Sequence, residues 1–130
     1  MGTLIDTSVL IEIERRWPTL DVNQDVAIAA ITASQLLHGV LRSDAAHRAQ
    51  RESFVEAVIA TVPTIPFSLR IARVHAGLWA QLAARHRTIA PHDLIVAATA
   101  ISLGWDLATF DRRHFSGVPG LRLATESQPS

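Results

Sequence analysis

The sequence predicts an α/β domain of three layers, with helices on both faces of a mainly parallel central sheet. Short apolar segments alternate with amphipathic ones along the 130 residues, which is the order expected when a helix follows each strand. Segment 26–31 (VAIAAI) is nearly all apolar, as expected for a strand buried on both faces. A chain of this length is expected to form one domain, here assigned to residues 1–126, with a flexible tail over 127–130.

The first predicted element is a short strand that ends in an acid. In segment 3–11 (TLIDTSVLI) this strand is followed by Asp6 and then by a helix predicted over residues 8–16, which a Trp-Pro pair at 17–18 ends. Ligand sites in open α/β sheets form at the carboxyl ends of the strands. Asp6 is therefore the first candidate functional residue.

The next elements are predicted from their caps. The strand over 26–31 precedes a helix for which Thr32 is the predicted N-cap. Either Ser43 or Asp44 is expected to cap a further helix, which reaches Ala60. The remaining predictions are an edge strand over 63–67, a helix from Ser68 to 85–87, a helix from 90–93 to Gly104, a strand over 105–110, turns over 112–115 and 117–120, and a last strand over 121–124.

The composition excludes several classes of protein. Hydrophobic residues make up 48% of the chain and charged residues 18%, which argues against disorder. The absence of cysteine excludes disulfides, thiolate metal sites and cysteine nucleophiles. All 12 basic residues are arginine, so no mechanism can use a lysine, and a formal net charge of zero gives no bulk electrostatic attraction to nucleic acids.

We expect a soluble, cytoplasmic protein with no membrane partner. Asp6, Glu12 and Glu14 interrupt the apolar N-terminal segment, which therefore does not have the pattern of a signal peptide. No segment approaches the ~20 consecutive apolar residues that a membrane span requires.

Three aspartates lie at junctions between predicted strands and helices: Asp6, Asp93 and Asp111. Strand C-termini and the helix N-termini that follow them share one edge of a parallel sheet, so these side chains can converge. Two carboxylates 4 Å apart repel by roughly 4 kcal/mol at an effective dielectric near 20, and a cation between them offsets this cost. Oxygen ligands favour Mg²⁺ or Mn²⁺. Taken singly, the three acids could instead cap a helix, complement a helix dipole or form a turn.

Four segments together resemble the PIN-domain family, and most of all the VapC-type toxins of bacterial toxin–antitoxin systems. They are 4–10 (LIDTSVL), 31–39 (ITASQLLHG), 91–98 (PHDLIVAA) and 108–115 (ATFDRRHF), with 118–121 (VPGL) after them. The resemblance implies a Mg²⁺- or Mn²⁺-dependent endoribonuclease that is neutralised by a cognate antitoxin and usually forms a homodimer.

The resemblance also implies roles for individual residues. Asp6 and Asp93 would be the central metal ligands, and Asp111 would complete the cluster directly or through water. The hydroxyls that would orient the carboxylates or bound water are those of Thr7, Ser8 and Thr109.

One position departs from the family pattern, because Gln35 stands where the second acid is normally found. Glutamine keeps an acceptor oxygen but has no negative charge and cannot act as a base. Glu12 and Glu14 are predicted on the exposed side of the first helix and do not replace it. We hypothesise an engineered Glu→Gln change; the alternatives are a natural variant with weak activity and a catalytically inactive antitoxin- or RNA-binding protein of the same fold.

Arg112, Arg113 and His114 follow Asp111 directly and are candidates for holding the phosphates that flank a scissile bond. Solvated turn residues are the alternative interpretation. His92, beside Asp93, is a weaker candidate for a substrate contact. An antitoxin helix would lie in an apolar groove, for which the candidates are Leu10, Ile11, Leu36, Leu37 and Val40.

Overall fold

A parallel sheet of four strands forms the centre of the molecule. The computed structural model describes residues 2–16 and 25–125. The strands are ordered β3-β2-β1-β4, and each neighbouring pair is parallel. The elements are β1 (Thr3–Ile5), α1 (Thr7–Arg16), β2 (Val26–Ala29), α2 (Ala30–Arg42), α3 (Ala45–Thr61), β3 (Thr64–Ile65), α4 (Leu69–Ala84), α5 (Pro91–Leu103), β4 (Asp106–Ala108) and α6 (Arg112–Phe115).

The two faces of the sheet bury separate apolar cores. Successive residues of β1 point to opposite faces, so Leu4 packs in one core and Ile5 in the other. The first core takes its buried helical side chains from α4, α5 and α6, including Leu78 and Leu94. The second takes them from α1, α2 and α3, including Leu36. The predicted three-layer α/β/α architecture with a parallel sheet is confirmed.

Three of the predicted helix ends are also confirmed, at Asp44, Ser68 and Gly104. The Asp44 carboxylate accepts a hydrogen bond from the His47 N–H at 3.0 Å and begins α3. Ser68 accepts one from the Ile71 N–H at 3.2 Å and begins α4. Gly104 ends α5 with a φ of +68°, in the left-handed region that favours glycine.

The second strand is shorter than predicted, and the prediction of Thr32 as an N-cap is wrong. Strand β2 ends at Ala29, which itself takes the extended cap conformation, so Ala30 and Ile31 are already helical. Thr32 therefore lies inside the first turn of α2, where its side chain is fully buried. Its hydroxyl has no hydrogen-bond partner within the described part of the chain.

The C-terminal elements also differ from the predictions. Strand β4 ends at Ala108 rather than at 110, because the following residues leave the sheet to bond with the side chains of Asp6 and Ser8. Residues 112–115 form one turn of helix, α6, instead of a plain turn. The strand predicted over 121–124 is only an isolated bridge between Leu123 and Leu107.

Some predictions lie outside the described residues, namely the end of the first helix at 17–18 and the tail at 127–130. In the two described ranges no helix is long and apolar enough to cross a membrane.

The helix α1 begins at Thr7, one residue earlier than predicted, because the Asp6 carbonyl accepts the hydrogen bonds of the Val9 and Leu10 N–H groups.

Candidate functional site

Asp6 lies at the carboxyl end of β1, an inner strand of the sheet. Its backbone N–H donates to the Ala108 carbonyl at 3.0 Å, which continues the pairing of β1 with β4 by one residue. Residues 109–111 are thereby brought beside Asp6. The Asp6 side chain is largely buried, with the residue only 4% exposed.

Two hydroxyls fix the orientation of the Asp6 carboxylate. Its Oδ2 atom accepts hydrogen bonds from Thr109 Oγ1 at 2.8 Å and from Ser8 Oγ at 3.1 Å. Each hydroxyl in turn accepts a backbone N–H, Thr109 from Asp111 at 2.9 Å and Ser8 from Phe110 at 3.0 Å. The described residues supply no hydrogen bond to Oδ1, so this oxygen is the one left available to a ligand.

Among the described residues, the Thr7 hydroxyl makes no hydrogen bond to the Asp6 carboxylate. The hydroxyl instead donates to Gln35 Oε1 at 2.6 Å. The amide nitrogen of the same glutamine lies 3.2 Å from Nδ1 of His92. Gln35 thus links the start of α1 to the first turn of α5.

Asp93 lies in the first turn of α5, where burial and the charges of neighbouring side chains change the pKa of its carboxyl. Burial raises the pKa of its carboxyl, and the negative charge of Asp6 raises it further. His114 lowers this pKa, Asp111 raises it, and His92 lowers it slightly. The three predicted acids therefore lie close enough to interact electrostatically.

These acids do not form a closed metal-binding cage. Across residues 2–16 and 25–125, no group of three or more acidic or histidine side chains is compact enough to hold one ion together. Asp111 is exposed, whereas Asp6 is buried. The donor chemistry still fits a hard cation, because an unbonded oxygen of Asp6 faces no competing proton and a cation would relieve the repulsion on Asp93.

The basic residues after Asp111 have three different environments. Arg112 is half-buried, and its Nη1 donates to the Ala124 carbonyl at 2.9 Å, which ties α6 to the C-terminal segment. Arg113 is exposed. His114 Nδ1 lies 3.7 Å from Asp93 Oδ2, so this ring faces the acids. Of the three, Arg113 fits the predicted role of a phosphate contact best.

Glu12 and Glu14 are half-buried, so the prediction that they lie on an exposed side is wrong. Glu14 accepts a hydrogen bond from Arg51 Nε at 3.3 Å, which joins α1 to α3. The pairing occurs because α1 and α3 pack in the same layer, against the same face of the sheet. Glu14 is thus held by an arginine of α3 rather than facing solvent alone.

Two features of the site were missed by sequence reasoning. The first is the Gln35–His92 contact, which joins residues 57 positions apart and has no local signal. The second is Phe110, which was predicted inside a strand but has a side chain that is 59% exposed. The sequence signal for Phe110 was its position between Thr109 and Asp111, which are both predicted site residues. In the structure the chain has already left the sheet at this point.

Comparisons with known proteins cover nearly the whole chain. The model of the family described as PIN domain matches residues 3–121. A protein of Rickettsia bellii named ribonuclease VapC is 33% identical over 132 aligned residues, which cover 96% of this chain and 96% of the relative. Ribonuclease VapC19 of Mycobacterium tuberculosis is 32% identical over 127 aligned residues, covering 92% and 96%.

Solved structures show the same fold. A chain of VapBC-5 from Mycobacterium tuberculosis, a member of the VapBC family of toxin-antitoxin systems, superposes with a TM-score of 0.75 at 30% identity, covering 94% of this chain and 96% of that one. A chain of VapBC2 from Rickettsia felis, bound to a DNA fragment from their promoter, has a TM-score of 0.85 at 23% identity, covering 95% and 98%. The second likeness is one of fold alone.

Proposed function

The chain belongs to the PIN domain family, and on that premise we propose that it is a metal-dependent endoribonuclease toxin that a cognate antitoxin neutralises. The observation that carries the proposal is that Thr109 bonds to both the Asp6 carboxylate and the Asp111 N–H, which places these two acids side by side, and the charges of both raise the pKa of Asp93. The names of its relatives, ribonuclease VapC and VapC19, support the substrate class. A cytoplasmic location is part of the proposal.

Asp6 and Asp93 would hold Mg²⁺, or Mn²⁺ in its place, and Asp111 would complete the set. When bound, such an ion lowers the pKa of water, polarises the scissile phosphate and stabilises the leaving oxygen. The protein's own contribution at Asp6 is orientation. Ser8 and Thr109 hold Oδ2 in place, so the carboxylate keeps a single rotamer in which Oδ1 is directed to the ligand.

With Gln35 the site has one negative charge fewer than it would have with a glutamate. The glutamine cannot accept a proton from water, and its amide oxygen already accepts the Thr7 hydroxyl hydrogen. We therefore assign this chain weak nuclease activity in comparison with a Gln35→Glu variant. The alternative function, antitoxin or RNA binding without catalysis, is favoured by the fact that both ends of the Gln35 amide are occupied by hydrogen bonds.

The antitoxin would contact the exposed apolar side chains of α1 and α2. Ile11, Leu37 and Leu41 are exposed there, and an amphipathic helix would cover them. The prediction of a groove position is wrong for Leu10, Leu36 and Val40. Their side chains are buried in the core and cannot reach a partner. A homodimer completes the proposal, and light scattering of the purified protein tests it.

Cleavage of structured RNA with Mg²⁺ tests the nuclease. The Gln35→Glu form should cleave RNA, and removal of Mg²⁺ by a chelator or an added Asp6→Asn change should abolish cleavage. A Gln35→Glu protein that binds RNA but does not cleave it would overturn the catalytic proposal in favour of the binding protein. No binding and no cleavage would remove RNA as the substrate.

A further inference from the structure

Phe110 exposes an aromatic ring at the edge of the acid cluster. Its side chain is 59% exposed, although it directly precedes Asp111 and directly follows the buried Thr109. Two other exposed aromatic side chains, Phe67 and Trp79, pack edge-on against the His75 ring, with ring centroids 5.7 and 5.8 Å from it. Within the described residues Phe110 has no such ring partner.

The backbone of Phe110 is nevertheless fixed. Its N–H donates to Ser8 Oγ at 3.0 Å, and the same hydroxyl donates to the Asp6 carboxylate. Thr109 bonds to Asp6 on one side and to the Asp111 N–H on the other. The ring therefore projects from a segment whose position relative to Asp6 is set by several hydrogen bonds, which is how a preorganised contact residue is held.

An unpaired nucleobase is the ligand that fits this position. Aromatic side chains bind single-stranded RNA by stacking, which every base permits because each has a π face. A formal net charge of zero leaves little bulk attraction to phosphates, so stacking would supply a larger share of RNA affinity than in a basic protein. The exposed Arg113 on α6 lies three residues further and can contact an adjacent phosphate.

We infer that Phe110 is a platform on which one unpaired base of the RNA stacks, beside the phosphate that enters the acid cluster. The inference rests on the proposed function and deepens it. Phe110 would select unpaired over paired nucleotides next to the scissile bond. Its role is positioning of substrate rather than chemistry, since a phenyl ring carries no proton to transfer.

RNA binding by variants in an Asp93→Asn background, in which the proposed function predicts no cleavage, tests this inference. A single-stranded RNA that carries 2-aminopurine is titrated with protein in Mg²⁺, and quenching of the base reports stacking. Phe110→Ala should weaken binding by about 5- to 150-fold and remove the quenching. Phe110→Trp should retain both, while Phe110→Leu, which is apolar but has no π face, should lose the quenching.

Phe67→Ala is the matched control, because it removes a ring of similar exposure, 49%, that packs against His75 and does not adjoin one of the three acids in sequence. It should leave RNA affinity unchanged. If the Asp93→Asn protein binds RNA and the added Phe110→Ala change leaves affinity and quenching intact, the stacking inference is wrong while the proposed function stands. If no form binds RNA, the proposed function is wrong, and the stacking inference that rests on it is wrong as well. A loss of antitoxin binding alone would identify Phe110 as a protein contact and overturn the inference.

Discussion

The side-chain amide of Gln35 donates a hydrogen bond to Nδ1 of His92 across 3.2 Å. The direction follows from the other end of the amide, which lies 2.6 Å from the Thr7 hydroxyl. That distance suits an O–H···O bond and is short for N–H···O, so the amide oxygen faces Thr7 and the nitrogen faces His92. In the neutral His92 ring, Nδ1 then accepts this bond and the ring proton lies on Nε2. A glutamate at 35 could only accept, so it would require a proton on Nδ1.

Gln35→Glu should raise the affinity for Mg²⁺ by at least about tenfold, which corresponds to about 1.4 kcal/mol. The reason is the added negative charge, since unit charges at 4 Å interact by roughly 4 kcal/mol at an effective dielectric near 20. Calorimetric titration measures the affinity, and an RNA cleavage assay should show a parallel increase. Gln50→Glu makes the same change at an exposed position of α3 and should have no effect. Equal behaviour of the two variants would mean that position 35 is not part of the acidic site.

Asp93→Asn should stabilise the protein at neutral pH when a chelator is present. Burial and the charge of Asp6 raise the pKa of Asp93 above its ordinary value of 3.8. Between that value and the raised one the folded state binds more protons than the unfolded chain, so the free energy of unfolding falls as the pH rises. The cost of ionising Asp93 is absent below the unfolded pKa and complete above the folded one.

Thermal unfolding at several pH values measures this effect, and each 1 kcal/mol would move the Tm by roughly 3–5 °C in a domain of this size. The gain of Asp93→Asn should be largest at neutral pH and should vanish in acid. Glu56→Gln, on the exposed surface of α3, serves as the neutralisation control. A lower Tm for Asp93→Asn at pH 7 would show that Asp93 is stabilised by its surroundings instead.

Thr32→Val should raise the free energy of unfolding by about 1 kcal/mol, because it removes a buried hydroxyl that has no partner among the described residues and keeps the shape of the side chain. Urea denaturation measures the change. Thr99→Val is the matched control, since Thr99 is equally buried but donates to the Ile95 carbonyl at 2.7 Å. The control should not be stabilised. A loss of stability in Thr32→Val would indicate that its hydroxyl is satisfied after all.

Arg112→Ala and Arg113→Ala should have different effects. Removal of the Arg112 guanidinium breaks its bond to the Ala124 carbonyl and should lower stability. Arg113→Ala should weaken RNA binding about equally for different sequences and reduce the salt dependence by about one phosphate contact. Binding measured over a range of salt concentrations tests this, with the exposed Arg70→Ala as control. If Arg113→Ala and Arg70→Ala have the same salt dependence as the unmodified chain, Arg113 lies off the RNA path.

Local chemistry explains why much of the fold could be predicted. Asp44, Ser68 and Gly104 act on backbone groups within a few residues, so their roles are written in the adjacent sequence. The position of Asp6 followed from the same kind of reasoning, because a strand, an acid and a helix occur in direct succession.

The errors concern contacts made across the sheet. Strand β4 ends early because Thr109 bonds to Asp6, which lies 103 positions away. Thr32 looks like a helix cap to any local rule, and only the burial of α2 against the sheet shows that it is not. The partners of Gln35 come from α1 and α5, so its hydrogen bonds depend on how those helices meet.

The bond between Asp6 and Thr109 also fixes when the site can exist during synthesis. Synthesis reaches Thr109 only 103 residues after Asp6. A nascent chain that has exposed Asp6 and even Asp93 still lacks the strand that pairs with β1 and the hydroxyl that orients the carboxylate. Under the proposed function, a ribosome that has made Asp6 and Asp93 would still be working beside an incomplete nuclease, and activity would begin only once β4 and Thr109 have emerged.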